Sequence, residues 1–135
     1  MIFGKEEKPL ADGLRTLLAV QKVVSSAVPG AIYDADNPPT KDALRTYSLA
    51  FIVEMAEWLQ ELDFKPWKNG KPEVSLRSHP AVVAEEFADM LAFLGILISY
   101  MDNLGITPDD LARAYVKKSE QNIVRINHNM RVQHG

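Results

Sequence analysis

The sequence contains no cysteine, which excludes disulfide bonds, catalytic thiolates and zinc sites that depend on cysteine. Charge of one sign is not in large excess either: the net charge is −3, so nothing general in the sequence attracts nucleic acid or an anionic membrane. The charged residues 1–8 lack the apolar core of a signal peptide. Long hydrophobic runs are also missing, because the longest, residues 90–101, is too short to span a bilayer. We therefore expect a cytoplasmic protein that binds neither nucleic acid nor membrane.

The remaining composition predicts one folded, all-α domain. The chain has 135 residues, close to the commonest domain length, and 47% of them are hydrophobic, which is enough for a packed core. Helical periodicity, capping residues and prolines predict four helices in a four-helix bundle-like domain that spans residues 1–135. The predicted helices cover residues 10–26, 41–62, 80–103 and 108–127. No segment alternates apolar and polar residues for long, so we expect no sheet.

Two pairs of acidic residues lie inside apolar segments of the second and third predicted helices. Glu54 and Glu57 form the first pair, and Glu86 and Asp89 form the second, after a gap of 28 residues. Residues three apart share one face of a helix, so each pair presents two carboxylates in the same direction. Apolar residues such as Phe93 continue the same stripes, which is unusual for a face in solvent. We therefore predict that both pairs point into one pocket.

Four carboxylates in one pocket repel one another. Two like charges ~4 Å apart repel by about 4 kcal/mol at the effective dielectric near a protein surface. Such a pocket requires shifted carboxyl pKa values or bound cations, and hard divalent cations are the natural ions for oxygen ligands. The acid pairs therefore predict a divalent-metal site.

Two cationic elements accompany the acids. The connection after the second helix carries Lys65, Trp67 and Lys68; lysine is a good partner for phosphate, and an exposed tryptophan can stack on a base. On the fourth helix, polar residues that suit phosphate oxygens or a base edge continue an apolar stripe at three- and four-residue steps. These residues are Lys118, Asn122 and Arg125. Acids for Mg²⁺, cations for phosphate and an aromatic side chain together describe a site for a nucleoside polyphosphate.

These elements resemble the all-α nucleoside triphosphate pyrophosphohydrolases, which comprise the dimeric dUTPases and the MazG-type enzymes. Their hallmark is E-x-x-E, a gap and E-x-x-D, which the two acid pairs match. The dUTPase branch adds a W-K element, similar to F-K-P-W-K at residues 64–68, and a terminal Y-x-x-K…N-x-x-R stretch, similar to residues 115–125. A glutamine on the first helix of the family is matched by Gln21. The resemblance covers roughly residues 14–127.

Three departures from the dUTPase pattern concern the base. The dUTPase branch usually has a histidine three residues after the last acid, where this sequence has Ala92. An asparagine commonly follows the first-helix glutamine, but Ser25 and Ser26 stand in that region. The closing R-Q…G-Y is replaced by Arg125-Ile126 and a different tail. Metal chemistry is therefore better supported than uracil specificity, and a MazG-type enzyme for a purine or other noncanonical deoxynucleotide, such as dGTP, stays open.

The resemblance implies hydrolysis of a deoxynucleoside triphosphate to the monophosphate and pyrophosphate, in control of the nucleotide pool. It implies that the four acids hold two or three Mg²⁺ ions, for which Mn²⁺ can substitute, and that a metal-activated water attacks the α-phosphorus. Glu57 by preference, or Glu54, takes the proton. The implied substrate-binding residues are Gln21, Lys65, Trp67, Lys68, Lys118, Asn122 and Arg125. We also expect two long connections, residues 31–39 and 64–77, to be functional, the second by closing over the substrate.

The third predicted helix is apolar nearly all round between Met90 and Tyr100, and a helix of that kind is buried. We therefore expect a homodimer or a dimer of dimers that forms through this helix. The alternative function is a non-catalytic metal-binding bundle or a partner-binding module. Di-iron bundles use Glu-x-x-His, however, and neither acid pair here is followed by a histidine at that spacing.

Overall fold

The computed structural model describes residues 2–27, 39–68 and 70–134 of the chain. Its helices are α1 (Glu7–Ala27), α2 (Lys41–Gln60), α3 (Pro80–Asn103) and α4 (Pro108–His134). Two short strands lie between α2 and α3, namely β1 (Leu62–Asp63) and β2 (Ser75–Leu76). The all-α class predicted from the sequence is therefore confirmed. None of the described helices has both the length and the apolar character that crossing a membrane requires.

The helix boundaries differ most from the prediction at three ends, and α1 also ends one residue later than predicted, at Ala27. α1 begins slightly early, at Glu7, and α4 continues to His134, well past its predicted end. α2 ends at Gln60 because the chain then turns into β1. The functional connection predicted at residues 31–39 lies outside the described residues except for Pro39.

The expectation of no sheet is wrong in one place. β1 and β2 pair antiparallel, with Leu62 opposite Leu76 and Asp63 opposite Ser75. Strands of two residues are too short to show the alternation by which a strand is recognised in a sequence. This small ladder affects the site, because it brings together the two ends of the connection that follows α2.

The starts of α2 and α3 are capped where the sequence predicts. The Thr40 hydroxyl accepts a hydrogen bond from the N–H of Ala43 at 3.0 Å. At α3, Pro80 occupies the first turn, and Nδ1 of His79 accepts from the N–H of Ala81 at 3.1 Å. Each cap satisfies an N–H group that has no partner inside the helix, and so defines the residue at which the helix begins.

The start of α4 is held by two reciprocal hydrogen bonds. The Thr107 hydroxyl accepts from the N–H of Asp110 at 3.2 Å, and the Asp110 carboxylate accepts from the N–H of Thr107 at 3.0 Å. These bonds with Thr107, followed by one from Arg113, hold the pKa of Asp110 below its ordinary value. The charged form of Asp110 therefore stabilises the folded protein.

Thr107→Ala is expected to lower the free energy of unfolding by about 1 kcal/mol, the usual loss for a helix cap. Asp110→Asn should have a pH-dependent effect. Because the folded pKa lies below the ordinary 3.8, the carboxylate stabilises the fold above that pH and loses its contribution as the pH falls through the lowered folded pKa. Urea unfolding at neutral pH and toward about pH 3 measures both effects. The difference in free energy of unfolding between Asp110→Asn and the unsubstituted protein should narrow in acid. A difference that does not narrow would contradict the lowered pKa of Asp110 in the folded protein.

α2 and α3 pack antiparallel against each other. Near the start of α2, the ring of Tyr47 contacts the rings of Phe93 and Tyr100, at centroid distances of 6.0 and 6.2 Å. Near the end of α2, Trp58 meets Phe87 edge to face at 5.3 Å. As residue numbers rise along α2, the residues that they contact fall along α3, so the two helices run in opposite directions.

α1 runs antiparallel to both α3 and α4. Just before α1, the N–H of Phe3 donates to the Glu120 carboxylate of α4 at 3.0 Å. Further along, Arg15 pairs with Asp109 at the start of α4, at 2.8 Å. The last part of α1 packs on α3, where Gly95 lies against its backbone. α3 and α4 therefore point in a similar direction. α4 extends away from α3 and does not fold back beside α2.

The apolar centre of α3 is covered within the chain. α1 and α2 both pack on α3. The residues buried there are Met90, Gly95, Ile96, Ile98, Ser99 and Tyr100. One chain therefore buries most of this segment of α3, although Leu91 within it is 38% exposed. Large apolar side chains are exposed instead on α2, at Leu49, Ile52 and Val53, and on the second half of α4.

Candidate active site

The packing of α2 on α3 brings three of the predicted acids together. Carboxylate oxygens of Glu54, Glu57 and Glu86 lie within 4.8 Å of one another. The aromatic contact between the two helices explains this meeting, since Trp58 follows Glu57 and Phe87 follows Glu86 in the chain. Glu57 is exposed, whereas the other two acids are partly buried. The acids thus form one group at the end of the molecule where α2 finishes and α3 begins.

The electrostatic state of these acids reflects their crowding. Burial raises the pKa of Glu54 above its ordinary value; a hydrogen bond with Glu57 and the charges of Glu57, Asp89 and Glu86 raise it further. Burial and then the charges of Asp89 and Glu57 also raise the pKa of Glu86. Asp89 is exposed and lies outside the group of three, although its charge contributes to the raised pKa of both Glu54 and Glu86. The first acid pair and Glu86 of the second pair therefore meet in space.

The donor set of this acidic group fits Mg²⁺. Oxygen Oε2 of Glu54 is buried and accepts no hydrogen bond from the described residues. A buried charged oxygen without a partner is unfavourable unless a cation compensates it. Hard divalent ions take carboxylate oxygens as ligands, and the crowded oxygens of Glu54, Glu57 and Glu86 supply them. Asp89 is not a member of this group of three.

A group of cationic side chains lies beyond the end of α2, on the connection between α2 and α3. Lys65, Lys68 and Arg77 line a cavity of about 270 Å³. The N–H of Arg77 donates to the carbonyl of Glu61 at 2.9 Å, and the Glu61 carboxylate accepts a hydrogen bond from Ser78. Glu61 follows Glu57 by one helical turn. The cavity therefore lies on the connection that follows the acidic end of α2, and Asp63 lines it together with the three cationic residues.

Arg77 is a candidate functional residue that the sequence reasoning missed. It follows β2, whose Leu76 pairs with Leu62, so the ladder brings it back beside Lys65 and Lys68. No spacing in the sequence signals a ladder this short. Trp67, which was predicted to stack on a base, has 75% of its surface exposed and is not among the residues that line the cavity.

Gln21 lies on the opposite side of α3 from α2. A Cβ atom built on Gly95 would come within 2.7 Å of Cγ of Gln21 and 2.9 Å of the carbonyl oxygen of Leu17. The absence of a side chain at Gly95 therefore lets α1 approach α3 closely and leaves room for Gln21. The structure describes no hydrogen bond from Gln21 to the acidic group.

Gly95→Ala is expected to destabilise the protein by about 1–3 kcal/mol, because the added methyl group meets backbone atoms of α1 that cannot move away easily. Gly13→Ala is the matched control. Gly13 is also inside a helix, but nothing lies within 4 Å of its added Cβ, so alanine should stabilise by roughly 0.5–1 kcal/mol. Urea unfolding of both variants measures the two effects. A change of the same sign in both would argue against close packing at Gly95.

The predicted substrate-binding residues of α4 are not brought to the acidic group of the same chain. Lys118, Asn122 and Arg125 are all exposed, and Arg125 donates a hydrogen bond to Asn122 at 2.8 Å. The helix that carries them packs chiefly against α1.

The separation follows from the helix contacts. Glu6 and Ser119 line the same small cavity between α1 and α4, whereas Gln21 lies beside Gly95 of α3. At 1.5 Å per residue, Glu6 and Gln21 are about 22 Å apart along α1, and Gly95 to Glu86 adds about 13 Å in the same direction. Lys118 is therefore on the order of 30 Å from the acids of its own chain.

The fold and the paired acids define the class: an all-α chain whose two central helices bring E-x-x-E and E-x-x-D together, as in the nucleoside triphosphate pyrophosphohydrolases of the dimeric dUTPase and MazG type. A family model described as dUTPase matches residues 14–102, which is more than half of the chain. The chain therefore belongs to the dUTPase family of this all-α superfamily. No curated protein and no solved structure gave a significant match.

Membership of the family defines the protein as a dUTPase-like nucleotide pyrophosphohydrolase at the family level. The matched range contains Gln21, both acid pairs and the connection with Lys65 and Arg77. It ends before α4 begins, so the three predicted residues of that helix lie outside it.

Proposed function

We propose that this protein is a Mg²⁺-dependent deoxynucleoside triphosphate pyrophosphohydrolase that converts dNTP and water to dNMP and pyrophosphate and controls the nucleotide pool. The observation that supports this most directly is the group formed by Glu54, Glu57 and Glu86. The family match supports the same reaction class independently of that geometry. The whole chain, residues 1–135, is proposed to be one catalytic domain.

The acids have separate proposed roles. Glu54, Glu57, Glu86 and Asp89 would hold two or three Mg²⁺ ions, with Mn²⁺ as a substitute. Bound ions of this kind polarise phosphate oxygens and lower the pKa of a coordinated water. Glu57 is the exposed member of the group, so it is the better placed of the two candidates to accept a proton from the attacking water. Glu54 is the second candidate.

The cationic cavity is proposed to bind the phosphates that leave as pyrophosphate. Lys65 and Lys68 supply mobile point charges, and Arg77 supplies a planar fork that suits phosphate oxygens. Exposed Trp67 is proposed to stack on the base, and Gln21 to contact the substrate from α1. Closure of the connection 64–77 over the substrate stays a prediction, as do the cytoplasmic location and the absence of nucleic-acid and membrane partners.

The substrate is proposed to be dUTP or another noncanonical or purine deoxynucleotide such as dGTP. Incubating the protein with Mg²⁺ and a panel of deoxynucleoside triphosphates tests both the reaction and the base. We expect equimolar monophosphate and pyrophosphate, with no orthophosphate. Orthophosphate as the first product would reject the proposed reaction. Mg²⁺ binding without turnover of any nucleotide would favour the alternative, a non-catalytic metal-binding bundle or partner-binding module.

We also propose that the protein is a homodimer or a dimer of dimers. An almost wholly apolar groove of about 440 Å³ runs along the first half of α3, between Trp58, Phe87 and Leu91. Phe87 is 41% exposed and Leu91 is 38% exposed, although both lie next to the active site. A second chain would remove these side chains from water. Sedimentation of the protein at micromolar concentration measures the state, and a monomer would reject the proposal.

A further inference from the structure

We propose that Glu61 is a positioning residue for substrate binding: its carboxylate, through the hydroxyl of Ser78, fixes Arg77 in the cationic cavity. This inference rests on the proposed function, because the cavity is where we expect the substrate phosphates to bind. Arg77 supplies the planar fork that contacts phosphate oxygens, and Glu61 acts only through it. Three observations support the proposal: the contacts of Glu61, the shortness of the β1–β2 ladder, and the unfavourable charge of an acid at this position.

Glu61 contacts both residues that follow β2. It is the first residue after α2, where its N–H donates to the carbonyl of Trp58 at 3.0 Å. Its carbonyl oxygen accepts a hydrogen bond from the N–H of Arg77 at 2.9 Å, and its carboxylate accepts one from the hydroxyl of Ser78. Glu61 and Ser78 are both partly buried, so the bond between their side chains is partly shielded from water. One residue at the end of α2 therefore holds two consecutive residues just before α3.

The β1–β2 ladder is too short to hold Arg77 in place by itself. It has two residues in each strand, and both residues of β2 are exposed. A hairpin of two strands is at best marginally stable in water. Arg77 is the first residue beyond the ladder, so its position depends on the contact of its neighbour Ser78 with Glu61. Without that contact, we expect Arg77 to move away from the two lysines of the cavity.

The charge of Glu61 is unfavourable where it lies. Glu61 follows the last turn of α2, at the negative end of the helix dipole, where acids are disfavoured. After burial and the charges of two other acids, the charge of Glu61 also raises the pKa of Glu86. Among the described residues, no lysine, arginine or histidine forms an ion pair with Glu61. Local rules of this kind are broken mostly at functional sites, so the position of Glu61 favours a role in the site over a role in stability alone.

Loss of the hydrogen bond between Glu61 and Ser78 should weaken the binding of phosphates. Ser78→Ala and Glu61→Ala are each expected to raise KM for the preferred deoxynucleoside triphosphate about 10-fold, the equivalent of one hydrogen bond to a charged group. The change in kcat should be smaller, because the acidic group is untouched. Glu61→Gln should not raise KM, because its amide oxygen can accept the same hydrogen bond. Thr16→Ala is the control for loss of a hydroxyl, since Thr16 is exposed and donates to a carbonyl of its own helix.

A double-mutant cycle tests whether Ser78 acts through Arg77. Arg77→Ala should raise KM at least as much as Ser78→Ala does. The double variant should be no worse than Arg77→Ala alone, because the residue that Ser78 positions is already missing. Additive effects of the two substitutions would overturn the proposal. So would a Ser78→Ala variant that loses stability in thermal unfolding but keeps its KM, since a purely structural contact predicts that result.

Binding of pyrophosphate separates this inference from the proposed function. Titration calorimetry with pyrophosphate in Mg²⁺ measures affinity without turnover, and we expect about 10-fold weaker binding in Ser78→Ala. Unchanged affinity in that variant, or no binding by the unsubstituted protein, overturns the positioning role, whereas the nucleotide panel alone tests the reaction.

Thermal unfolding excludes a direct role of Glu61 in metal binding. Glu61→Gln should keep most of the rise in Tm that Mg²⁺ causes in the unsubstituted protein, because the acids that we propose as ligands are intact. A loss as large as that in Glu54→Gln would make Glu61 a metal ligand and overturn the proposal. Circular dichroism shows whether each variant is folded.

Discussion

Glu57→Gln is expected to lower kcat by about 100- to 10,000-fold, the range that a positioned general base contributes. Glutamine keeps the size of the side chain but removes the charge and the proton acceptor. Glu57 is exposed, so the substitution opens no cavity, and the glutamine amide can still form a hydrogen bond with Glu54. Helical content and oligomeric state should therefore be unchanged. The measurement is the initial rate of pyrophosphate release at saturating Mg²⁺ and substrate.

The control for this prediction is Asp42→Asn, on the same helix. Asp42 is exposed and pairs with Arg45 at 3.3 Å, a surface ion pair of a kind that contributes little to stability. Its loss should leave the rate unchanged. If Glu57→Gln keeps most of the activity while Glu54→Gln loses it, Glu54 is the base instead. Retained activity in both variants would show that the acidic group does not do the chemistry.

Mg²⁺ is expected to stabilise the protein strongly. An ion at one hundred times its dissociation constant adds about 2.7 kcal/mol to the free energy of unfolding. For a chain of this length, that corresponds to a rise in Tm of about 10 °C. The physical reason is that folding crowds three carboxylates within 4.8 Å and buries an oxygen of Glu54 without a hydrogen bond among the described residues.

The effect of Glu54→Gln on the stability of the protein should change sign when Mg²⁺ is added. Without Mg²⁺, the variant is expected to be more stable than the unsubstituted protein, because burial and the neighbouring acids disfavour the charged form of Glu54, as its raised pKa indicates. With Mg²⁺, the variant should gain less, because it has lost a ligand. Thermal unfolding of both proteins in EDTA and in Mg²⁺ measures whether the order of their stabilities reverses. Equal gains from Mg²⁺ in the two proteins would exclude Glu54 as a ligand.

The sequence by itself determined the local features of this protein. The spacing of Glu54 and Glu57, and of Glu86 and Asp89, was sufficient to predict paired carboxylates, because a helix puts residues three apart on one face. Thr40, Pro80 and Thr107 marked helix starts for an equally local reason, the unpaired N–H groups of the first turn. The start and end of α3 were predicted correctly, with Gly105 beyond it at a φ of 90°, which favours glycine.

Only the tertiary structure decided which residues share a site. Arg77 enters the cationic cavity through a ladder of two residues per strand, which leaves no periodic signal. The burial of Glu54 and the exposure of Glu57 depend on how α2 lies on α3, since both residues occupy the same stripe of one helix.

The position of α4 was also beyond the reach of the sequence. The stripe of Lys118, Asn122 and Arg125 was recognisable, but its distance from the acids depends on the path of the chain after Gly105. Likewise, α1 and α2 of the same chain bury most of the apolar centre of α3, whereas periodicity alone does not indicate which helices cover it. Periodicity reports the face of a helix that avoids water, and only the packing of distant segments determines what covers that face.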